Sequence, residues 1–508
     1  MKDFLEKHGD KVTGVISVFD RVILKGYLPI SYPGAAERFF SGRGMLLKEF
    51  KDFTTAQTET LKEHAIEEAR KAGRPYEYLQ KPVRKEEYVR KIAERDGITE
   101  GLVCVLGINE ENHSFALRYG KGSPRLRKNS PRCLTLYYYF LDRHFGFMHV
   151  RLSTWMPFTI QVYMNGHDWL AKQMDTKGIT YEQIENAFVR IADTTKAQKI
   201  ANDMGTLPWE RILHAFARRV NPLLKTVLAG MEYYWVIDQA EYATDVMWGN
   251  GPSLSELYTK WQKHAAVCFQ ADDIMRFMGR KLHGSFNSTI VTDVKVRPSV
   301  TRVKHTMRGN WIKMYNKHGI VLRIETVINR PGEFRVFRLG RGERAGTYEP
   351  LRKRITNMAR YAAVCLRSNQ LYLDALAPVD DPTIAYRDLK RVCEPVIKGN
   401  KRIRSLNPLR ENDRNLFEAV VRGEHHLHGF KSREIGSLIG IEYTTDPAQR
   451  RRQCATVNRK LNLLRAHGLI TRYGRSRRYH VTHFGHRHMN AAITMYTDAV
   501  PAALKQAA

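Results

Sequence analysis

Residues 15–28 limit the architecture of this chain more than any other stretch. β-Branched and other apolar side chains fill them almost without a break, and Pro29 closes the run. The stretch reads as one or two buried strands with an acid, Asp20, between them. A buried strand needs partners, and residues 102–107, 135–141 and 147–152 have the apolar, aromatic content to supply them. Between these strands, residues 35–95 turn to Glu, Lys, Ala and Leu with helical spacing, as in Leu61, Ala65 and Ala69. An α/β N-terminal domain over residues 1–178 is expected, with a basic loop at 120–129.

From 179 to 283 the spacing reads as helical: Ile184, Phe188 and Ile191, then Ile212, Phe216 and Val220, then Leu257, Trp261 and Ala265. Pro208, Pro222 and Gly249 punctuate what is expected to be a helical bridge. Strand-type sequence returns at 288–296, 312–315, 320–328 and 334–339, with turn chemistry at 316–319 and 329–332. A basic, β-rich antiparallel domain is therefore expected over 284–397, with helices at 357–373 and 386–393. A basic linker at 398–404 leads to a last domain at 405–495. The expected fold class is α/β and α+β multidomain, in keeping with a chain of 508 residues.

Charge narrows the function. The formal net charge is +31, which repels itself unless a polyanion neutralises it, so DNA or structured RNA is the expected partner. No apolar run reaches the length of a membrane span, and the opening residues have no signal-peptide pattern, so a cytoplasmic protein with no membrane partner is expected. The six cysteines are scattered without a CxxC pair and read as reduced thiols. Histidines cluster at His425, His426 and His428 and again at His480, His483, His486 and His488, in Arg-rich sequence that suits phosphate contact better than metal binding.

In the last domain, a helix at 416–421 precedes a short second helix that Ser432 is expected to cap. A third helix carries the apolar stripe Cys454, Val457, Leu461 and Leu464, while Arg450, Arg451, Arg452, Asn458, Arg459 and Lys460 occupy its other face. A strand, a basic tip at Arg475, Arg477 and Arg478, and a second strand follow. This order resembles the winged helix-turn-helix domain of bacterial DNA-binding proteins over about ninety residues. The resemblance implies a third helix in the major groove and a hairpin along the backbone. Gln453, Thr456 and Asn458 then become candidates for base contact, and Arg451, Arg452, Arg459, Arg477 and Arg478 for phosphate contact.

Residues 301–360 hold fifteen Lys/Arg against four acids. Within them, strand periodicity puts Lys313, Tyr315 and Lys317 on one face, and Arg323 and Glu325 on one face of the next strand. A tyrosine, cations and a carboxylate supply a nucleophile, phosphate clamps and a ligand for Mg²⁺ or Mn²⁺. The Tyr-x-Lys and Arg-x-Glu strands also resemble rolling-circle replication initiators of plasmids and phages. That likeness implies a DNA strand nickase or transferase of a mobile-element or replication type, with Tyr315 as nucleophile and Glu325 on the metal. The His-hydrophobic-His pair of many such enzymes has as its nearest echo His149-Val-Arg151.

Two alternatives stay open. One is a non-catalytic, sequence-specific DNA or structured-RNA binding protein, with Glu325 paired to Arg323 or Lys313. The other is a ribonuclease H-like metal-dependent nuclease or transposase, with Asp20 as catalytic and metal-binding carboxylate and Asp142, Asp293 and Glu325 as companions. The segment from Trp155 to Asp168 reads as core and turn.

Overall fold

The computed structural model describes the chain except residues 82, 120–123, 270, 281–288, 298–299, 339–345, 378, 380–389, 400, 423–424, 426–428, 473–476 and 497–508. The protein is mixed α/β and divides into two compact units. The first takes in residues 1–262, 277–279 and 290–374, and the second residues 263–276, 280–289 and 375–508. No helix among the described residues is long and apolar enough to cross a membrane.

The first unit is built on one eleven-stranded sheet. Its strands are β1 (Val12–Tyr27), β2 (Tyr76–Leu79), β3 (Gly101–Glu111), β4 (Arg132–Asp142), β5 (Gly146–Ser153), β6 (Ile160–Asn165), β7 (Tyr234–Trp248), β8 (Ile290–Arg297), β9 (Val300–Met307), β10 (Asn310–Lys317) and β11 (Val321–Ile328). Their order is β8-β9-β10-β11-β7-β1-β6-β5-β4-β3-β2. Every neighbouring pair is antiparallel except β2 and β3. The apolar run that dominates the N-terminal sequence is β1, at the centre. Its Ile16, Val18, Phe19, Val22 and Leu24 are at most 1% exposed, and each such side chain contributes roughly 1.5–3 kcal/mol by leaving water. The β9–β10 and β10–β11 turns each place two successive residues at positive φ, Arg308 and Gly309, then His318 and Gly319. This is the I′ geometry that matches strand twist and makes tight hairpins.

Two expectations change. Residues 179–283 are not a helical bridge: they contain a hairpin (Tyr181–Ile184 with Ala187–Ile191) and the long strand β7. Ile184 is 44% exposed, so its spacing with Phe188 marks no buried helix face. The helix formers Ala240, Glu241 and Ala243 lie in β7 because it is paired on both sides, by β1 and β11, and ladder and core outweigh local propensity. The helical reading does hold for Trp209–Val220 and Gly251–Val267. The second change is that the basic strands β8 to β11 form no separate sheet. They continue the N-terminal sheet through β7, so the boundary expected at 178 falls inside one unit. The strand at Arg335–Arg338 pairs instead with Thr347–Pro350. Most of the helix expected at 386–393 lies outside the described residues.

Helices cover both faces of the sheet. On one, Asn369 of the Met358–Leu376 helix accepts from Thr326 (2.7 Å) and donates to the Tyr242 carbonyl (3.0 Å), and Tyr258 of the Gly251–Val267 helix donates to the Thr301 carbonyl. On the other face lie the Gly166–Thr176 helix and the hairpin turn at Asn186.

In the second unit, the described helices Glu411–Val420, Ser432–Leu438, Pro447–Ala466 and His483–Thr494 accompany a three-stranded sheet of Phe430–Lys431, Arg478–Val481 and Ile470–Arg472. Leu416, Phe417, Ile435, Val457, Leu461 and Leu464 form its core. The linker expected at 398–404 contains part of a short hairpin, Val396–Lys398 with Lys401–Ile403.

Candidate functional site: a buried carboxylate cluster on the sheet

Asp20 owes its position to a break in register. Phe19 pairs with Tyr242 and Arg21 with Glu241, so Asp20 is the extra residue of a β-bulge in β1. Just there β6 ends and the Gly166–Thr176 helix begins, with Asn165 Oδ1 accepting the N–H groups of His167 (2.8 Å) and Asp168 (3.2 Å). Position 166 must be glycine, because a Cβ would lie 1.9 Å from the Phe19 carbonyl oxygen. This close approach brings His167 onto the bulge. Its Nδ1 lies 3.0 Å from Asp20 and its Nε2 3.1 Å from Asp245 on β7.

Register assembles the rest. Lys313 of β10 faces Glu325 of β11, which faces Ala243 of β7. One step along, Tyr315 faces Arg323, which faces Asp245. Opposed residues of antiparallel strands share a face, so Lys313, Tyr315, Arg323, Glu325, Asp245 and, by alternation, Glu241 lie on one surface. Arg323 is fully buried and bidentate to Asp245 (2.6 and 2.7 Å), with Nη1 3.4 Å from Asp20 and Nη2 donating to the Asn186 carbonyl. The Asn186 side chain donates to Asp20 (2.9 Å) and accepts from Lys317 (2.7 Å). Lys313 contacts Glu325 at 2.5 Å and Glu241 at 3.6 Å.

The carboxylates divide into two electrostatic classes. Burial pulls Asp20 and Asp245 toward the neutral form, but Arg323 and His167 overcome it, holding Asp245 at about 2 and Asp20 well below its usual range. Burial and Arg323 oppose charge on His167, yet Asp20 and Asp245 raise its pKa. Glu325 goes the other way. Burial, with Asp20 and Glu241 adding like charge, pushes it up to about 7 despite Lys313. One ligand atom each from Asp20, Glu241 and Glu325 lies within 4.8 Å of the others, an arrangement fit for a metal ion. It is the one such group of three or more His, Cys, Asp or Glu among the described residues.

Of the residues singled out from sequence, Asp20, Lys313, Tyr315, Lys317, Arg323 and Glu325 are thus brought together. Tyr315 has the Lys313 and Lys317 ammoniums 5.9 and 5.8 Å from its ring centre, and burial with Glu325 raises its phenol well above the ordinary value. Asp142 and Asp293 do not join. Asp142 accepts the His144 and Phe145 N–H groups in the β4–β5 turn, and Asp293 pairs with Arg302 at the sheet edge. His149 stacks on Tyr163 (4.9 Å, 7°), and burial pushes it down to about 3. Glu241, Asp245, His167 and Asn186 were not anticipated. The signal for the first two was the alternation Glu241, Ala243, Asp245; for His167 it was the Asn165 cap.

In the second unit, Arg450, Arg451, Arg452, Asn458 and Arg459 are exposed on the Pro447–Ala466 helix, and Lys460 is half-buried. Gln453 binds the preceding loop, donating to the Glu442 carbonyl and accepting from the Thr444 N–H. Thr456 donates to the Arg452 carbonyl and accepts from Arg459. Ser432 does not cap its helix, whose N-cap is Lys431; its hydroxyl donates to Asn458 (2.8 Å). Arg477 is exposed and Arg478 donates to the Gly429 carbonyl, while Arg475 lies outside the described residues, as do His426 and His428. The six cysteines are free thiols.

No family model, curated protein or solved structure matches this chain.

Proposed function

We propose that the protein acts on nucleic acid in the cytoplasm, cutting or transferring a phosphodiester strand with Mg²⁺ or Mn²⁺ held by Asp20, Glu241 and Glu325. The observation that carries this reading is the convergence of three carboxylates, from three strands, on one face of the sheet. Arg323 and Lys313 are buried there against the acids instead of reaching out as the phosphate clamps expected from sequence, and Lys317 stands half-buried at the edge. Burial, with the like charge of Asp20 and Glu241 added, raises the pKa of Glu325. A divalent cation supplies the positive charge that a proton otherwise brings, and when bound it polarises a phosphate and stabilises the charge that develops on its oxygens. Arg323 and His167 hold Asp20 ionised and aimed. Lys317, at the edge of the cluster, contacts phosphate.

The second unit supports the nucleic-acid side of the proposal. The order helix, strand, helix, helix, strand, strand and the basic Pro447–Ala466 helix fit a winged helix that reads DNA or structured RNA. Arg451, Arg452 and Arg459 are then phosphate contacts, and Gln453 holds the loop that positions them.

The test is cleavage of labelled single-stranded, hairpin and duplex DNA and of structured RNA with Mg²⁺ or Mn²⁺. Asp20→Asn and Glu241→Gln should abolish cutting yet keep binding. Full activity in both variants, or no cutting by the wild type on any substrate, overturns the proposal. A tyrosine nickase is the second reading, favoured by the place of Tyr315 opposite Arg323 between two lysines. It requires a covalent protein–DNA adduct on a denaturing gel that disappears in Tyr315→Phe.

A further inference from the structure

The carboxylate cluster sits at the inner end of a longer surface that continues outward across β10, β9 and β8. Cross-strand pairs lay it out in rows. Lys313 faces Lys304, which faces Asp293; Tyr315 faces Arg302, which faces Lys295; and Trp311 faces Thr306. All of these are on the face that bears Glu325. Lys295 is exposed, and Arg302, Lys304, Trp311 and Tyr315 are half-buried.

Two properties of the surface point to one class of ligand. The first is excess positive charge: of the three cations Lys295, Arg302 and Lys304, Arg302 pairs with Asp293, which also faces Lys304, and no other ion pair to these three is seen among the described residues. Burial and the repulsion of Arg302, Lys313 and Lys295 lower the pKa of Lys304 even with Asp293 beside it. Such a field is relieved by an anion laid across it. The second is alternation. Along β10, Trp311, Lys313, Tyr315 and Lys317 give ring, cation, ring, cation on one face, with the rings about 13 Å apart at strand spacing. The Lys304 ammonium lies 4.4 Å from the centre of the Trp311 ring. Rings for base stacking beside cations for phosphates are what a single strand requires, whereas a duplex hides its base faces.

We propose that β8 to β10 form a binding track for single-stranded nucleic acid, with a base stacked on Trp311, phosphates on Lys304, Arg302 and Lys295, and the strand leading to the carboxylate cluster. This deepens the proposed function and rests on it for the direction of the strand. The track itself binds without metal, so the two stand or fall separately.

The test uses the full-length protein in EDTA, with fluorescently labelled oligo-dT and a duplex of equal length read by anisotropy. Trp311→Ala should weaken oligo-dT binding about tenfold or more, as expected for losing one stacked base, and leave duplex binding unchanged. Trp311→Phe should recover most of the loss, which a folding defect would not allow. Lys304→Ala, which leaves the ring in place, should reduce the slope of log affinity against log salt by about 0.7 for the single strand only. Unchanged oligo-dT affinity in Trp311→Ala, or equal losses for single strand and duplex, overturns the track. Loss of cutting in Asp20→Asn with single-strand binding intact upholds both proposals; retained cutting removes only the cluster's role.

Discussion

Binding of Mn²⁺ should be linked to pH through one group. Glu325 has a pKa of about 7 in the metal-free protein, so it is about one-tenth ionised at pH 6, half at pH 7 and nine-tenths at pH 8. A metal ligand must be deprotonated. The apparent affinity for Mn²⁺ should therefore rise about tenfold from pH 6 to pH 8, with about half a proton released per ion at pH 7. Lys313, whose pKa its contacts with Glu325 and Glu241 raise against the pull of burial, stays charged throughout. His167 also faces the cluster with a raised pKa, and Glu325→Gln separates the two, because it removes the Glu325 share and leaves the imidazole. Titration calorimetry at pH 7 in two buffers of different ionisation enthalpy counts the protons directly. Equal affinity at pH 6 and pH 8, with no buffer dependence, would refute the argument. So would proton release that persists in Glu325→Gln.

Three further outcomes follow from the geometry. Arg323→Met leaves Asp245 and Asp20 buried without their shared cation and should cost about 3–5 kcal/mol, seen as a lower midpoint of thermal unfolding. Asp245 is depressed to about 2 in the folded protein, so its stabilisation is complete above about pH 4 and fades as pH falls toward 2; thermal melts across that range should show this acid limb in the wild type and not in the variant. Gly166→Ala drives a Cβ into the Phe19 carbonyl oxygen and should displace His167, lowering Mn²⁺ affinity and thermal stability together, whereas the exposed Gly178→Ala should leave Mn²⁺ affinity alone. Arg451→Ala and Arg452→Ala should each reduce the salt slope of duplex binding by about 0.9, while Gln453→Ala should weaken binding only by loosening the loop it anchors, detectable as faster amide exchange at Thr444.

How much of this was legible in sequence depends on how local each signal is. The stripe Val457, Leu461 and Leu464 is a single-helix property, and the helix is there. The rows Lys313–Tyr315–Lys317 and Arg323–Glu325 needed only strand period and a short turn, and both are paired as expected. β7 holds strand formers such as Tyr234, Trp235, Val236 and Ile237, but Ala240, Glu241 and Ala243 break up that signal, helical spacing flanks it on both sides, and its partners β1 and β11 lie more than seventy residues away in sequence. With β7 went Glu241 and Asp245, half of the acidic set. The depth of Asp20 depends on a bulge, and no residue type announces a one-residue register shift.

Cation binding by Asp20, Glu241 and Glu325 together underlies the proposed chemistry. It is tested most directly by anomalous X-ray scattering from crystals of the full-length protein grown at pH 8 with Mn²⁺. A peak bonded by carboxylate oxygens of all three residues is expected, absent from crystals of Glu241→Gln. An empty cluster in which Lys313 still bridges Glu325 and Glu241, with Mn²⁺ absent or bound elsewhere, would contradict it.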